Sequence, residues 1–153
     1  MFVRKANKSD MDSIYLMGYD VWGDDSNIAD YLNGCRNSKK YAQGQWYVLT
    51  VDGLPVSALI VYHDQFKLDE YNCGIGSIST GIECRKRGYA KELINSIVTQ
   101  LFTSTDINMI FLHSDIGYPF YEKLGFQRIP NENQCMYKQK SIDVDLGGIP
   151  SYF

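Results

Sequence analysis

The sequence predicts a single-domain α/β protein in which helices flank a mixed, mostly antiparallel sheet. Segments rich in aromatic and β-branched residues alternate with segments of helical period, which is typical of a layered α/β structure. Two pairs of strand-like segments are joined by turn sequences, and one strand–helix–strand order over residues 73–113 implies a central parallel pair. A length of 153 residues suits one domain with its own core.

Turn and cap residues mark the elements in the first half of the chain. The cluster Asn7-Lys8-Ser9-Asp10 follows a weakly alternating strand and predicts a helix start. The polar break 23–27 ends that helix, and Ser26 or Asn27 is suited to cap the next one. The turn sequence Asp52-Gly53-Leu54-Pro55 lies between two strand-like segments and predicts an antiparallel hairpin.

The second half of the chain contains the strongest helical period of the sequence. Apolar residues recur at helical spacing from Ala90 to Phe102, after a strand and a basic turn. The strand ending at His113 leads into a short helix that we expect to stop at Gly125, and a last hairpin closes the sheet. In chain order, the predicted strands cover 1–6, 46–51, 56–62, 73–80, 107–113, 126–129 and 134–138, and the predicted helices cover about 10–21, 27–37, 90–102 and 117–124.

Composition and charge argue against several classes of function. Fifteen basic and eighteen acidic residues give a net charge of −3, which does not favour a nucleic-acid-binding surface. No apolar run approaches the roughly 18 residues of a membrane-spanning helix, and the N-terminus lacks the apolar stretch of a secretory signal. The four cysteines are widely spaced, so we predict no metal site and a reduced, cytoplasmic chain.

The first informative segment is the basic turn Arg85-Lys86-Arg87-Gly88-Tyr89-Ala90, between a strand and the amphipathic helix. Backbone N–H groups at a helix start have no partner within the helix, and the helix dipole favours negative charge there. A glycine allows a phosphate to approach the backbone closely, and flanking arginine and lysine side chains add positive charge. The turn is therefore suited to hold a diphosphate, although a basic triplet at such a position is more often a solvated turn.

The second informative segment is Phe120-Tyr121-Glu122-Lys123-Leu124-Gly125-Phe126. Together with the basic turn, it resembles the Gcn5-related N-acetyltransferase (GNAT) superfamily. The family signature Arg/Gln-x-x-Gly-x-Gly/Ala is matched by Arg85, Gly88 and Ala90, and the second segment matches the family's aromatic-Tyr-Glu-Lys-Leu-Gly-Phe run. Ile82 stands where the family commonly has proline, and Ala90 replaces the more frequent glycine.

The resemblance implies an acyl-CoA-dependent N-acetyltransferase domain over residues 1–138, with a GNAT-like fold in which the central parallel strands splay apart. Acetyl-CoA (CoA) would lie with its diphosphate on the backbone of 86–90 and its pantetheine arm along 78–80, hydrogen-bonded like an added strand. The apolar tail 139–153 falls outside the resemblance and is expected to pack on the domain or on a partner subunit. The cofactor-binding residues implied are Ile78, Ser79, Thr80, Arg85, Lys86, Arg87, Gly88, Tyr89, Ala90 and Lys91.

Acetyl transfer to an amine requires removal of a proton from the amine and an acid for the departing thiolate. An alkyl ammonium has a pKa of about 10.4 and a thiol has a pKa of about 8.5, so a phenol is a suitable acid for the thiolate. The resemblance assigns this role to Tyr121, for which a packed helix aromatic is the alternative. A backbone N–H near Ser79 or Thr80 is suited to polarise the thioester carbonyl.

The general base is left open by the sequence. The strand over 75–80, where many relatives carry a glutamate, has no acidic residue. Glu83 follows this strand, His63 has a suitable intrinsic pKa, and Asp115 is suited either to catalysis or to capping the following helix. The remaining candidates are Asp69, Glu70 and ordered water.

The acceptor is expected to enter beside the first helices, where acidic and aromatic residues gather. Asp20, Trp22 and Tyr31 suit a cationic amine through charge and cation–π contact, and a solvated loop around a buried tryptophan is the alternative. The predicted partner is thus a small-molecule or peptide amine, with no nucleic acid or membrane, and a homodimer stays open.

Two other functions are compatible with the same residues. A domain of the same fold that binds acyl-CoA without catalysis, as a sensor or scaffold, is the second hypothesis, and a nucleic-acid binder that uses the basic triplet is the third. A covalent acyl-cysteine route through Cys84 is less favoured, because no histidine lies near it in the sequence.

Overall fold

The computed structural model describes residues 1–140 as a mixed sheet with flanking helices. The strands are β1 (Phe2–Lys5), β2 (Gln45–Val51), β3 (Leu54–Tyr62), β4 (Asn72–Thr80), β5 (Met109–His113), β6 (Gln127–Arg128) and β7 (Cys135–Gln139). The helices are α1 (Met11–Met17), α2 (Tyr19–Trp22), α3 (Ile28–Arg36), α4 (Lys39–Ala42), α5 (Tyr89–Ser104) and α6 (Pro119–Glu122). Short 3₁₀ turns cover Lys8–Asp10 and Ile82–Cys84. The α/β class predicted from the sequence is confirmed.

Within residues 1–140, seven strands follow the order β1-β2-β3-β4-β5-β7-β6 in the sheet. Strands β1 and β2, β2 and β3, β5 and β7, and β6 and β7 pair antiparallel. Strands β4 and β5 pair parallel, with Asn72 opposite Met109 and Ile75 opposite Leu112. The predicted mostly antiparallel sheet with one parallel pair is therefore confirmed.

The predicted cap and stop residues function as expected. The Asn7 side chain accepts a hydrogen bond from the Ser9 N–H at 3.1 Å, and Asn27 accepts one from the Asp30 N–H at 2.8 Å. Gly125, with φ of 91°, follows the turn that ends α6. These local signals acted independently of distant parts of the chain, which is why they could be predicted.

The helix predicted over 10–21 is wrong in one respect, because it is two helices that meet at Gly18. A Cβ atom at Gly18 would lie 2.1 Å from Cε3 of Trp22, so the indole ring packs directly against the glycine backbone. The Gly18 N–H donates to the Tyr15 carbonyl at 3.2 Å, and α2 starts at the next residue. The periodicity of the sequence continued through this break and concealed it.

Helix α4 was not predicted. Its cap is Ser38, whose hydroxyl accepts a hydrogen bond from the Tyr41 N–H at 3.2 Å. A helix of four residues is too short to show a period, so its only signal was the serine before Lys39.

The hairpin between β2 and β3 is tighter than predicted. Asp52 and Gly53 both have left-handed φ angles, 51° and 79°, as required by a two-residue turn of type I′. Strand β3 therefore begins at Leu54, and Pro55 pairs with Thr50 next to a register shift in β2. The predicted turn residues were right, but two of them belong to the strand.

The chain divides into two compact units, each with its own core. Among the described residues, the first unit comprises Met1–Val61 and Ser77–Ile94, and the second comprises Tyr62–Gly76 and 95–140. The first core includes Val48, Leu49, Ala58, Leu59 and Ile60, and the second includes Ile75, Ile97, Ile110 and Phe111. The predicted tail lies outside the described residues from residue 141 onward.

Candidate active site

The basic turn between β4 and α5 is exposed and leads into the first turn of a helix of 16 residues. Lys86 and Gly88 have left-handed φ angles of 63° and 81°. A Cβ atom at Gly88 would meet no atom within 4 Å, so backbone conformation rather than packing favours glycine here. The first N–H groups of α5 have no partner within the helix. The turn thus presents backbone donors and the exposed side chains of Lys86 and Arg87 to an anion.

Arg85, at the start of this turn, binds other groups of the chain. Its Nη1 donates to Asp20 Oδ2 at 2.7 Å, and its Nη2 donates to Asp20 Oδ1 at 2.8 Å. Its Nε donates to the Thr80 carbonyl at 3.0 Å, and Nη2 also donates to the Met17 carbonyl at 3.2 Å. The hydrogen bond from Arg85 lowers the pKa of Asp20 below its ordinary value. Two residues predicted for different roles are therefore partners.

The end of β4 extends beyond its pairing with β5. The registered pairs end at Ile75 opposite Leu112, whereas β4 continues to Thr80. Ser77 has a φ of 45°, a rare left-handed conformation for a residue within a strand. The predicted pantetheine strand, 78–80, is half-buried and follows this irregularity.

Buried Ser57 of β3 fixes the last residues of β4. Its hydroxyl donates to the Ser79 carbonyl at 2.9 Å and lies 3.0 Å from the Thr80 hydroxyl. The Gly81 N–H donates to the Val56 carbonyl at 3.0 Å. The backbone groups of successive residues point alternately to the two edges of a strand. Those of Ser79 and Gly81 point toward β3, so those of Ile78 and Thr80 point to the opposite edge of β4.

Tyr121 of α6 is buried among aromatic side chains of the second unit. Its ring meets the rings of Phe120 and Phe126 edge to face, at centroid distances of 5.0 and 6.2 Å, and the residue is 7% exposed. Burial, with a smaller contribution from the Asp115 carboxylate, raises the pKa of Tyr121 to about 12. The phenol is therefore protonated at neutral pH, as a proton donor must be.

The loop before α6 differs from the prediction. The helix starts at Pro119, two residues later than predicted, and its N-cap residue, Tyr118, makes no capping hydrogen bond through its side chain. Instead, the Ser114 hydroxyl donates to the Gly117 carbonyl within the loop. The capping role considered for Asp115 is therefore wrong.

The candidate bases are exposed and lie in different parts of the chain. Glu83 lies in the 3₁₀ turn after β4 in the first unit, whereas His63 follows β3 in the second unit. Asp115 follows β5, and its Oδ1 lies 3.7 Å from Nε2 of His113. Among these candidates, Asp115 is the one whose carboxylate contributes to the raised pKa of Tyr121. The pairing with His113 was missed, although the spacing of two residues at a strand end was visible in the sequence.

The two other acidic candidates lie in the connection between β3 and β4. Asp69 and Glu70 are both exposed, and a carboxylate oxygen of Asp69 accepts a hydrogen bond from the Tyr71 N–H at 2.8 Å.

The three residues predicted to bind the acceptor all contact other groups of the first unit. Asp20 is paired with Arg85, and the Trp22 ring packs against Gly18. The Tyr31 hydroxyl donates to the Tyr15 carbonyl at 2.7 Å, and burial raises the pKa of Tyr31. These contacts give each side chain a structural role beside the one predicted for it.

A second aromatic group in the first unit was missed. Tyr15, Tyr41 and Trp46 meet with centroid distances of 5.2 to 6.1 Å, and the Ser77 hydroxyl lies 3.4 Å from the Tyr41 hydroxyl. The group joins α1, α4 and β2, so its members are distant in sequence. The unpredicted α4 contributes one of its three rings.

Several other features bear on the predicted chemistry. All four cysteines have free thiols, and Cys84 is half-buried beside Arg85. Within residues 1–140, no group of three or more His, Cys, Asp or Glu side chains is arranged to bind a metal ion. In the same range, no helix has the length and apolar character needed to span a membrane.

A family model matches more than half of the chain. The model of the acetyltransferase (GNAT) family matches residues 10–126 of the chain. This match includes both informative segments, the basic turn and the run that ends at Phe126. No curated protein sequence matches the chain significantly.

Solved structures of similar fold extend over most of the chain. A GNAT family acetyltransferase from Brucella melitensis, in complex with acetyl-CoA, has a TM-score of 0.68 at 17% identity, covering 97% of this chain and 94% of that one. The GNAT family N-acetyltransferase YhbS from Escherichia coli, in complex with CoA, has a TM-score of 0.66 at 15% identity, covering 90% and 80%.

A third structure of similar fold is a larger protein. The chain matches a probable N-acyltransferase from Enterococcus faecalis with a TM-score of 0.66 at 18% identity, over 83% of this chain but only 32% of that protein. The chain therefore spans about a third of that protein's length. The predicted GNAT-like fold is confirmed by these comparisons.

Proposed function

The chain belongs to the acetyltransferase (GNAT) family, and we propose that it transfers an acetyl group from acetyl-CoA to a primary amine by direct attack of the amine on the thioester. The observation that carries the proposal is the exposed, basic turn with Gly88 in a left-handed conformation at the start of α5. The similar proteins from Brucella melitensis and Escherichia coli were solved with acetyl-CoA and CoA, which supports the same donor here.

The acetyl-CoA turn, residues 85–91, would hold the diphosphate mainly by its backbone. The N–H groups from Lys86 to Ala90 supply the donors, since an exposed helix start attracts anions without specific side chains. The side chains of Lys86, Arg87 and Lys91 are exposed and supply compensating positive charge. Gly88 keeps the turn open to the phosphate oxygens, and Tyr89 starts the helix.

The pantetheine arm would add to the edge of β4 opposite β3. The Ser79 carbonyl and the Gly81 N–H already bond to groups of β3, which leaves the backbone of Ile78 and the Thr80 N–H for the arm. One backbone N–H in this stretch would polarise the thioester carbonyl and stabilise the negative charge that develops on its oxygen.

In the reaction that we propose, the neutral amine attacks the thioester carbonyl carbon and a tetrahedral intermediate forms. The nitrogen of the intermediate then loses a proton to water and the carbon–sulfur bond breaks, which leaves the acetyl group on nitrogen as an amide. Tyr121 gives its phenolic proton to the sulfur and is reprotonated from water. The pKa of about 12 keeps Tyr121 protonated until the thiolate departs. Burial also raises the pKa of a thiol, so the pKa of the departing CoA thiol lies closer to that of Tyr121 than its value in water suggests.

The alkyl ammonium must lose one proton before attack, and its nitrogen loses a second proton as the amide forms. Asp115, His63 and Glu83 are exposed, and exposed groups suit relay of a proton to bulk water. We propose ordered water as the immediate acceptor, with Asp115 as the first side chain to test because its carboxylate affects Tyr121.

The acceptor would be a small-molecule or peptide amine that enters beside the first helices. Trp22 and Tyr31 lie on α2 and α3 and offer aromatic rings that suit a cationic amine, whereas the Asp20 carboxylate is bonded to Arg85. The half-buried rings of Tyr15 and Tyr41 extend this aromatic surface.

The test measures acetyl-CoA binding by calorimetry and CoA release with a panel of primary amines, polyamines and peptide N-termini. Binding of acetyl-CoA together with amine-dependent CoA release supports the enzyme. Binding without turnover across the panel would instead favour an acyl-CoA sensor or scaffold of the same fold. Absence of acetyl-CoA binding would refute both.

A further inference from the structure

We propose that Asp20 and Arg85 form a positioning pair that fixes the acetyl-CoA turn, and that Arg85 acts on the diphosphate through the backbone it holds rather than through its charge. The inference rests on the proposed function only in assuming that this turn binds acetyl-CoA. It assigns Asp20, predicted as an acceptor-binding residue, to the donor side of the reaction.

The Arg85 guanidinium connects the end of β4 to α1 and α2, which lie 65 to 68 positions away in the sequence. It bonds the Thr80 carbonyl at the end of β4, the Met17 carbonyl at the end of α1, and both carboxylate oxygens of Asp20 in α2. A guanidinium has five N–H donors, and these four hydrogen bonds leave little capacity for phosphate oxygens. A planar, bidentate pair also restricts orientation more strongly than a single hydrogen bond.

The hydrogen bond from Arg85 to the Thr80 carbonyl relates the pair to the proposed cofactor site. The Thr80 carbonyl lies at the end of the strand proposed for the pantetheine arm, and Arg85 begins the turn proposed for the diphosphate. The hydrogen bond therefore fixes the path of the chain between the two contact regions. Ser57 holds the same residue through its hydroxyl, so Thr80 is fixed from both sides.

A second Asp–Arg pair in the same unit provides a matched comparison. Arg36 donates from Nε to Asp12 Oδ1 at 3.0 Å and from Nη2 to Asp12 Oδ2 at 2.6 Å. This pair joins α1 to α3 and is more exposed, with side chains 50% and 54% exposed against 36% and 35% for Arg85 and Asp20. It has the same chemistry but no bond to the acetyl-CoA turn.

A role of Asp20 through its charge and a role through positioning predict opposite changes in acetyl-CoA affinity when Asp20 is neutralised. A carboxylate near a diphosphate site repels the ligand, so its removal should strengthen binding if charge alone matters. The D20N substitution would keep the side-chain shape but turn an NH₂ donor toward the guanidinium, which disorders the pair. Under the positioning proposal, binding of acetyl-CoA therefore weakens even though a negative charge has been removed.

The experiment measures the Kd of acetyl-CoA by calorimetry for the full chain and for D20N, R85K and D12N. We expect the Kd to rise about tenfold in D20N, because a binding loop that is no longer preorganised must be ordered by its ligand. R85K should weaken binding to a similar extent, since lysine keeps the charge but cannot bridge three partners. D12N should leave the Kd unchanged.

Two further readouts separate positioning from general destabilisation. The thermal unfolding midpoint should change similarly in D20N and D12N, because each loses one bidentate surface pair. The double variant D20N/R85K should bind acetyl-CoA no more weakly than R85K alone, since both substitutions break the same pair. At saturating acetyl-CoA, the KM of the acceptor should not change in D20N.

Three outcomes would overturn the positioning role. Tighter acetyl-CoA binding by D20N would show that charge dominates, and full affinity in R85K would show that Arg85 acts as a simple cation. A D20N variant with an unchanged Kd and a raised acceptor KM would return Asp20 to the acceptor. Failure of the unmodified chain to bind acetyl-CoA would refute the proposed function itself, and the pair's role with it.

Discussion

The acetyl-CoA turn and the Tyr121 segment (residues 120–126) are suited to their proposed roles for opposite physical reasons. The turn is exposed, basic and built on backbone conformation, with left-handed φ angles at Lys86 and Gly88. Tyr121 is 7% exposed, lies between two aromatic rings and has a pKa raised to about 12 by burial. An anion is attracted by accessible donors and charge, whereas a proton donor is adjusted by removal from water.

This difference predicts which kind of substitution damages each region. Changes to backbone conformation or charge sign should affect the turn, while charge-conserving changes to its exposed side chains, Lys86, Arg87 and Lys91, should be tolerated. In the Tyr121 segment, loss of one oxygen atom should be enough to stop efficient turnover.

The largest effect is expected for Tyr121→Phe. Loss of the phenolic proton should lower kcat by about 10²–10⁴-fold, the usual contribution of a general acid. The Kd of acetyl-CoA, measured by calorimetry, should stay nearly constant because the diphosphate site that we propose is in the other region. Tyr137→Phe is a suitable control, since Tyr137 is also buried and its hydroxyl bonds the Gln127 side chain at 3.0 Å. Unchanged kcat in Y121F would remove Tyr121 from the mechanism.

The next effect is expected for Gly88→Asp in the turn. The new carboxylate would lie against the diphosphate, and the Kd of acetyl-CoA should rise at least about tenfold by like-charge repulsion. Gly53→Asp provides a close control, because Gly53 has a φ of 79° and also has no atom within 4 Å of an added Cβ. Both variants carry the same strain and charge, so equal Kd values in G88D and G53D would place the diphosphate elsewhere.

The contrast between exposed and buried groups extends to the ion pairs of the first unit. Arg4 and Asp10 form a bidentate pair at 2.6 and 3.1 Å in which the aspartate side chain is only 7% exposed. The pKa of Asp10 is lowered, chiefly by the hydrogen bond from Arg4. Asp10→Asn should lower the free energy of unfolding at pH 7 by about 1–3 kcal/mol, as measured by urea denaturation.

The pH dependence of this contribution has a definite sign. Because the folded-state pKa of Asp10 lies below its unfolded value, the pair stabilises the fold fully above the unfolded pKa of about 3.9 and loses this effect as pH falls through the folded pKa. The difference between D10N and the unmodified chain should therefore shrink in acid. A difference that stays constant down to about pH 2 would show that Asp10 does not stabilise through its charge.

The smallest effect is expected for Asp115→Asn. The Asp115 carboxylate contributes to the raised pKa of Tyr121, so its removal should move the tyrosinate titration of Tyr121 to lower pH, while burial keeps it alkaline. Ultraviolet titration against Y121F as a blank would measure this shift, and kcat at about pH 8 should change by less than about threefold. A large loss of kcat at every pH would instead identify Asp115 as the general base.

Much of the fold could be predicted because its signals are local. Asn7, Asn27 and Gly125 mark element ends through their own hydrogen bonds or backbone angles. The break at Gly18 could not be predicted, because the helical period continues across it and only the Trp22 ring shows why the glycine is needed. Helix α4 was missed since four residues are too few to show a period.

The candidate site shows the same division. The sequence by itself determined which residues form the basic turn and the tyrosine segment, because a glycine among basic residues before a helix and an aromatic-Tyr-Glu-Lys-Leu-Gly-Phe run are patterns of adjacent residues. Only the tertiary structure decided that Asp20 pairs with Arg85 across 65 positions and that burial raises the pKa of Tyr121. Spacing along the chain fixes which groups are neighbours in a helix or turn, but charge pairing and burial depend on segments that meet only after folding.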